Sequence, residues 1–132
     1  APLDSAVNAG IRSRSEGIAA EGAAQLTERA GAALARQRAA LPGLAGDRAV
    51  FMPWVGWALT LDDFLTTRTT ELAVHLDDLA VSVGHTMPEL PDAAFDPVLT
   101  LLARLATRRH GQAALVRALA RAERAPVVIN AI

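Results

Sequence analysis

The stretch from Thr60 to Gly84, TLDDFLTTRTTELAVHLDDLAVSVG, constrains the fold of this chain more than any other. Its apolar residues recur at the spacing of one helical face. Thr60 followed by Asp63 favours a helix start, and Gly84 favours a helix end. We therefore predict one amphipathic helix of about six to seven turns. Its apolar stripe consists of Leu61, Leu65, Leu72, Leu76, Leu79 and Val83.

A second, polar line runs beside this stripe. At about 100° per residue, Glu71, His75, Asp78 and Ser82 stack along one edge of the expected buried face, and Arg68 falls inside the stripe itself. Polar groups in such a place need partners, because burying them unpaired is costly. The line therefore predicts either a polar network or a bound ion.

Both arrangements are open from the residues alone. In the first, Arg68 pairs with Glu71 and His75 pairs with Asp78, as an internal salt-bridge network. In the second, Glu71 and His75 bind a metal, since a Glu and a His at i and i+4 can place an oxygen and a nitrogen on one ion.

The segment TTRTTELAVHLDDLAVSVG resembles the helix motif R-x-x-E-x-x-x-H-x-x-D-L of the mycothiol-dependent maleylpyruvate isomerase N-terminal domain family. The loop MPWVGWALTLDDF and the tail RRHGQAALVRALARAERAP resemble the same family, so that the resemblance covers roughly Asp47 to Pro126. The family belongs to the DinB/YfiT-like metalloenzyme superfamily. The resemblance therefore implies an all-α fold, a DinB-like up-down helical bundle.

The resemblance carries metal-ligand roles onto Glu71 and His75. The family's third ligand is a His from an earlier helix, and no His precedes His75 in this chain. We therefore expect residues 1–132 to form a single helical domain that corresponds to the later part of the family's domain, without its N-terminal helix or helices. The third ligand would come from an upstream segment or from the partner in a homodimer.

The function implied by the resemblance is that of a metal-dependent thiol transferase or isomerase. A divalent metal, zinc in the first place, would activate the thiol of mycothiol toward a small-molecule substrate. Asp78 would orient His75, and Arg68 would pair with Glu71 or with an anionic substrate. These two are the expected catalytic residues, and Glu71 and His75 the expected metal ligands.

The alternative function is a non-catalytic helical domain that serves dimerisation or binds a small ligand. In that case Arg68, Glu71, His75 and Asp78 form a buried polar network and hold no ion. Metal content and the effect of a chelator on the melting temperature distinguish the two functions.

Composition excludes several kinds of chemistry and of binding partner. The chain has no cysteine, which excludes disulfides and a protein-borne thiolate, so that any thiol chemistry needs a small-molecule thiol. The net charge of −1 gives no electrostatic case for a nucleic-acid partner. No segment is apolar for long enough to cross a bilayer, and the N-terminus lacks the layout of a signal peptide. We expect a cytoplasmic protein without a membrane partner.

The other elements are predicted from local signals. We expect two helices in residues 3–41, with a cap at Asp4 or Ser5 and a break in the run Ser13 to Gly17. Residues 49–59 predict a short hairpin or an irregular apolar loop around Pro53. Two further helices are expected after the central one, in residues 93–109 and 112–124, separated by Gly111.

Overall fold

The structure, a computed structural model, describes residues 5–132, with only the backbone described at Val7. This part of the chain holds five α-helices and one two-stranded antiparallel sheet, which confirms a mainly helical fold. Its contacts divide it into two compact units, one ending at Ala45 and the other running from Gly46 to Ile132. That both units belong to a single domain stays a prediction.

The first unit consists of α1 (Ala6–Ala20) and α2 (Ala23–Ala40), followed by a single 3-10 turn, Leu41–Gly43. The Ser5 side chain accepts a hydrogen bond from the backbone N–H of Asn8, which makes Ser5 the N-cap of α1. Asp4, the other expected cap, lies outside the described residues. The break between the helices lies at Gly22, whose φ of 93° favours glycine, and α1 runs through the run Ser13 to Gly17.

The second unit begins with a hairpin, β1 (Ala49–Met52) and β2 (Trp57–Thr60). Ala49 pairs with Thr60 and Met52 with Trp57, so that Pro53 falls in the turn, where its missing N–H costs no ladder bond. Of the two alternatives expected for residues 49–59, a short hairpin or an irregular loop, the structure has the hairpin. Met52 is buried, whereas the Trp54 and Trp57 side chains are exposed.

Three helices follow the hairpin: α3 (Leu61–Ser82), α4 (Asp92–His110) and α5 (Gln112–Ala120). α4 packs between the other two, and a 3-10 turn, Ala122–Arg124, leads into an irregular tail. The core of this unit is small, and Val98 of α4 is its most deeply buried side chain. The other buried apolar residues are Met52, Leu61, Ala73, Ala80 and Ala106.

Candidate functional site

The helix α3 carries every residue of the predicted site, and both of its ends are fixed by local hydrogen bonds. The Thr60 hydroxyl accepts a hydrogen bond from the Asp63 backbone N–H at 3.1 Å, as an N-cap does. At the other end the N–H of Gly84 donates to Val81 and that of His85 donates to Ala80, which is the Schellman arrangement. The predicted span of the central helix is confirmed.

The buried face of α3 differs from the predicted one. Ala73, Ala80 and Thr70 are buried, whereas Leu72 is 71% exposed and Leu79 60% exposed. Small side chains let α3 and α4 approach closely, so that α4 covers the alanine side of the helix. The prediction that the whole leucine stripe faces the core of this chain is therefore wrong, although Leu61 is buried.

The polar line lies on the side of α3 away from Ala73. At 100° per residue, Glu71, His75 and Asp78 lie within about 40° of the direction opposite to Ala73. Their side chains are 58%, 70% and 67% exposed, respectively. The expected position on the edge of a buried face is therefore wrong for the described chain, and so is the burial of the polar network.

His75 nevertheless lies between two carboxylates, one at each ring nitrogen. Its Nδ1 is 3.2 Å from Asp78 Oδ2, within hydrogen-bond reach, and its Nε2 is 3.6 Å from Glu71 Oε2. A proton on Nδ1 donates to Asp78, which leaves the lone pair of Nε2 directed toward the Glu71 side. The Asp78 carboxylate thus lies within hydrogen-bond reach of Nδ1, whereas the Glu71 carboxylate lies farther away, beside Nε2.

The contact between Glu71 and His75 is too long for a hydrogen bond but fits two ligands of one ion. At 3.6 Å, Nε2 and Oε2 lie beyond normal hydrogen-bond length. Zinc binds nitrogen and oxygen at about 2.0–2.2 Å in tetrahedral geometry, which separates two such ligand atoms by about 3.4 Å. This pair of atoms therefore fits two of the positions around a zinc ion.

A third ligand from this chain is missing in the described part. Within residues 5–132, no group of three His, Asp or Glu side chains is arranged to hold a metal ion. Asp78 cannot join Glu71 on the same ion, because it contacts the opposite ring nitrogen of His75. His110 is engaged elsewhere, with Nε2 2.9 Å from the backbone oxygen of Asn130.

Arg68 does not pair with Glu71. Its Nε donates to the Thr67 hydroxyl at 3.3 Å, and its guanidinium carbon lies 5.6 Å from the centroid of the Phe64 ring. Arg68 makes no ion pair with a carboxylate of the described residues, so its charge is available to a carboxylate from outside. The internal pair of Arg68 with Glu71 in the salt-bridge arrangement is therefore wrong.

An apolar cavity of about 390 Å³ that is open to solvent, and that the sequence did not indicate, lies between α3, α4, α5 and the C-terminal tail. Only aliphatic side chains line it. Leu102 and Leu115 come from α4 and α5, Val74 comes from α3, and Ile129 and Ile132 come from the tail. The hydrogen bond between His110 and Asn130 holds the tail near this cavity. No sequence pattern identifies Ile129 and Ile132 as cavity-lining residues, since the cavity depends on the path of the tail.

Comparison with known proteins identifies no relative of this chain. No family model, no curated protein and no solved structure matches the chain. Within residues 5–132, no helix combines the length and the apolar character that crossing a membrane requires.

Proposed function

We propose that this chain is part of a DinB-like, metal-dependent domain that uses a divalent ion, zinc in the first place, to activate a mycothiol-type thiol for transfer or isomerisation. The observation that carries the proposal is the 3.6 Å separation of Glu71 Oε2 and His75 Nε2, which suits two ligands of one tetrahedral ion. The resemblance of the α3 motif to the maleylpyruvate isomerase family supports the thiol chemistry.

Four residues of α3 have a role in this proposal. Glu71 and His75 hold the ion, and Asp78 accepts a hydrogen bond from the Nδ1–H of His75, which leaves Nε2 unprotonated. Arg68, whose guanidinium has no carboxylate partner in the described chain, attracts an anionic substrate. A bound divalent ion lowers the pKa of a coordinated thiol. The third ligand comes from outside the described residues, from a second copy or from an upstream segment.

The test is the zinc content of the purified chain after equilibration with zinc and removal of the excess. We expect the unmodified protein to retain zinc, and Glu71→Ala and His75→Ala to lose it. His85→Ala is the matched control, because His85 is an exposed His that lies beyond the end of α3. Equal zinc content in all four proteins would overturn the proposal.

The cavity favours the alternative function, a non-catalytic helical domain that binds a small ligand. A volume of about 390 Å³ is within the usual range of ligand pockets, and its aliphatic lining suits an apolar molecule. In this case the His75 ring has Asp78 and Glu71 as its polar neighbours, and no ion is required. The melting experiment argued in the Discussion separates the two functions.

A further inference from the structure

We propose that the apolar cavity binds the aliphatic part of a small-molecule substrate whose polar end lies at Glu71 and His75. The cavity and these two residues share the helix α3, because Val74 lines the cavity. Residues three and four positions apart are neighbours on a helix surface, with Cβ atoms about 5–6 Å apart. Val74 therefore has Glu71 as its neighbour toward the N-terminus and Asp78 as its neighbour toward the C-terminus. The polar line runs along the edge of the cavity.

The angular positions around α3 support this adjacency. Ala73 is buried beneath α4, and 100° per residue places Val74 at about 100° from it. Asp78 and Glu71 follow at about 140° and 160°. Both carboxylate side chains thus leave the helix within about 60° of the side chain that lines the cavity, whereas that of Leu72 leaves it about 160° away. A ligand in the cavity reaches the polar line by passing a single row of side chains.

The lining of the cavity determines the class of ligand. Only aliphatic side chains line it, so a sugar or a nucleotide would lose hydrogen bonds to water there without replacement. Leu99 and Leu119, which belong to the lining, are 52% and 79% exposed. An aliphatic chain that covers them removes apolar surface from water on both sides, which favours binding. The cavity of about 390 Å³ therefore suits an alkyl chain.

The proposed ion gives the polar end of this ligand its place. A thiol or a carbonyl at the end of an alkyl chain in the cavity lies beside Val74, next to Glu71 and His75. This assignment of the polar end as the reacting end rests on the proposed function, whereas binding of the alkyl chain does not. Arg104 and Arg108 line a groove that shares Leu99 with the cavity, and they would attract a carboxylate. Uncharged probes are therefore the appropriate ones.

The first experiment measures the binding of butan-1-ol, hexan-1-ol and octan-1-ol in EDTA by NMR titration. We expect the affinity to rise about fourfold per methylene, as burial of a methylene predicts. Ala118→Phe fills the cavity and should abolish binding. Ala113→Phe is the matched control on the same helix, since Ala113 is exposed and does not line the cavity. Circular dichroism checks that both variants fold. Affinity that is independent of chain length, or equal binding by both variants, overturns the proposal.

The second experiment tests the adjacency and needs neither of these variants. The chain has no cysteine, so Glu71→Cys carries a single thiol, which is converted to a mixed disulfide with an octyl or a methyl group. We expect the octyl group to raise the melting temperature by several degrees over the methyl group and to block the binding of octan-1-ol. Leu72→Cys is the matched control, because Leu72 is the next residue, is 71% exposed and points away from the cavity. Equal effects at both positions, or unchanged binding of octan-1-ol at position 71, overturn the adjacency.

The third experiment separates this inference from the proposed function. In the zinc-loaded chain, hexane-1-thiol should bind at least tenfold more tightly than 2-mercaptoethanol, because the cavity takes the chain while the sulfur binds the ion. A chain that retains zinc but binds both thiols equally overturns the inference and leaves the proposed function in place. A chain that retains no zinc but binds the alcohols with increasing affinity removes the proposed function and leaves the aliphatic site beside Glu71.

Discussion

At the scale of single residues, Asp78 would decide which ring nitrogen of His75 is the ligand atom in the proposed metal site. Nδ1 of His75 lies 3.2 Å from Asp78 Oδ2, and a proton on this nitrogen, which faces away from Glu71, would donate a hydrogen bond to that oxygen. Histidine ligands of metals commonly donate their other ring N–H to a carboxylate, which fixes the tautomer and raises the basicity of the ligand nitrogen. In the proposed metal site, Asp78 would therefore contribute to metal binding without touching the ion.

This role predicts the effect of Asp78→Asn. We expect the zinc affinity, measured by competition with a chromogenic chelator, to fall by about 10- to 100-fold, because the amide is a weaker acceptor for the Nδ1 proton. Asp77→Asn is the matched control, since it removes the same charge from the next position without a contact to His75. A comparable loss in both variants would show that only net charge matters.

At the scale of one element, α3 is defined by its two ends. Gly84 lies at a φ of 73° immediately after the helix, and its N–H and that of His85 satisfy the last carbonyls. A side chain at this φ is strained in most residue types, while Asn tolerates it better. The end of α3 thus depends on one glycine.

We expect Gly84→Ala to lower the free energy of unfolding by about 1–2 kcal/mol. Urea denaturation measures the loss as a lower midpoint, with an unchanged slope if the unfolding stays cooperative. Gly84→Asn provides the comparison and should lose clearly less. If alanine and asparagine were equally tolerated, the left-handed conformation at this position would not be required for the end of the helix.

The bounds of helices and strands were predictable where caps and turn residues alone determine them. Thr60, Asp63 and Gly84 define α3 in the sequence as they do in the structure, and Pro53 marks the hairpin turn. The break between α1 and α2 was predicted at the wrong place, because Ser13 to Gly17 contains more turn-forming residues than the sequence around Gly22 does. The sequence does not distinguish Gly22, with its φ of 93°, from a glycine that lies inside a helix.

The orientation of α3 was not predictable in the same way. A stripe of leucines and a row of alanines lie side by side on this helix, and hydrophobicity alone assigns the leucines to the core. In the described chain α4 covers the alanine side, where Ala73 and Ala80 allow close approach. The exposure of Glu71 and His75 to solvent follows from this packing of α4 on α3. The distance between the two side chains follows from the geometry of α3 alone.

At the scale of the whole molecule, the question is whether the chain is stabilised by an ion. A ligand that binds only the folded state raises its stability by mass action, by about 2.7 kcal/mol when the free ligand is at 100 times its dissociation constant. A non-catalytic domain, in which His75 contacts Asp78 and Glu71 and no ion, gains no stability from zinc. Melting temperature therefore reports on the choice between the two functions.

We expect zinc at this excess to raise the melting temperature by roughly 10 °C or more relative to protein in EDTA, since domains of this size shift by several degrees per kcal/mol. The double variant Glu71→Ala, His75→Ala is the control and should melt at the same temperature in zinc and in EDTA. An unmodified chain that is equally indifferent to EDTA would leave the apolar cavity as the functional feature of this unit.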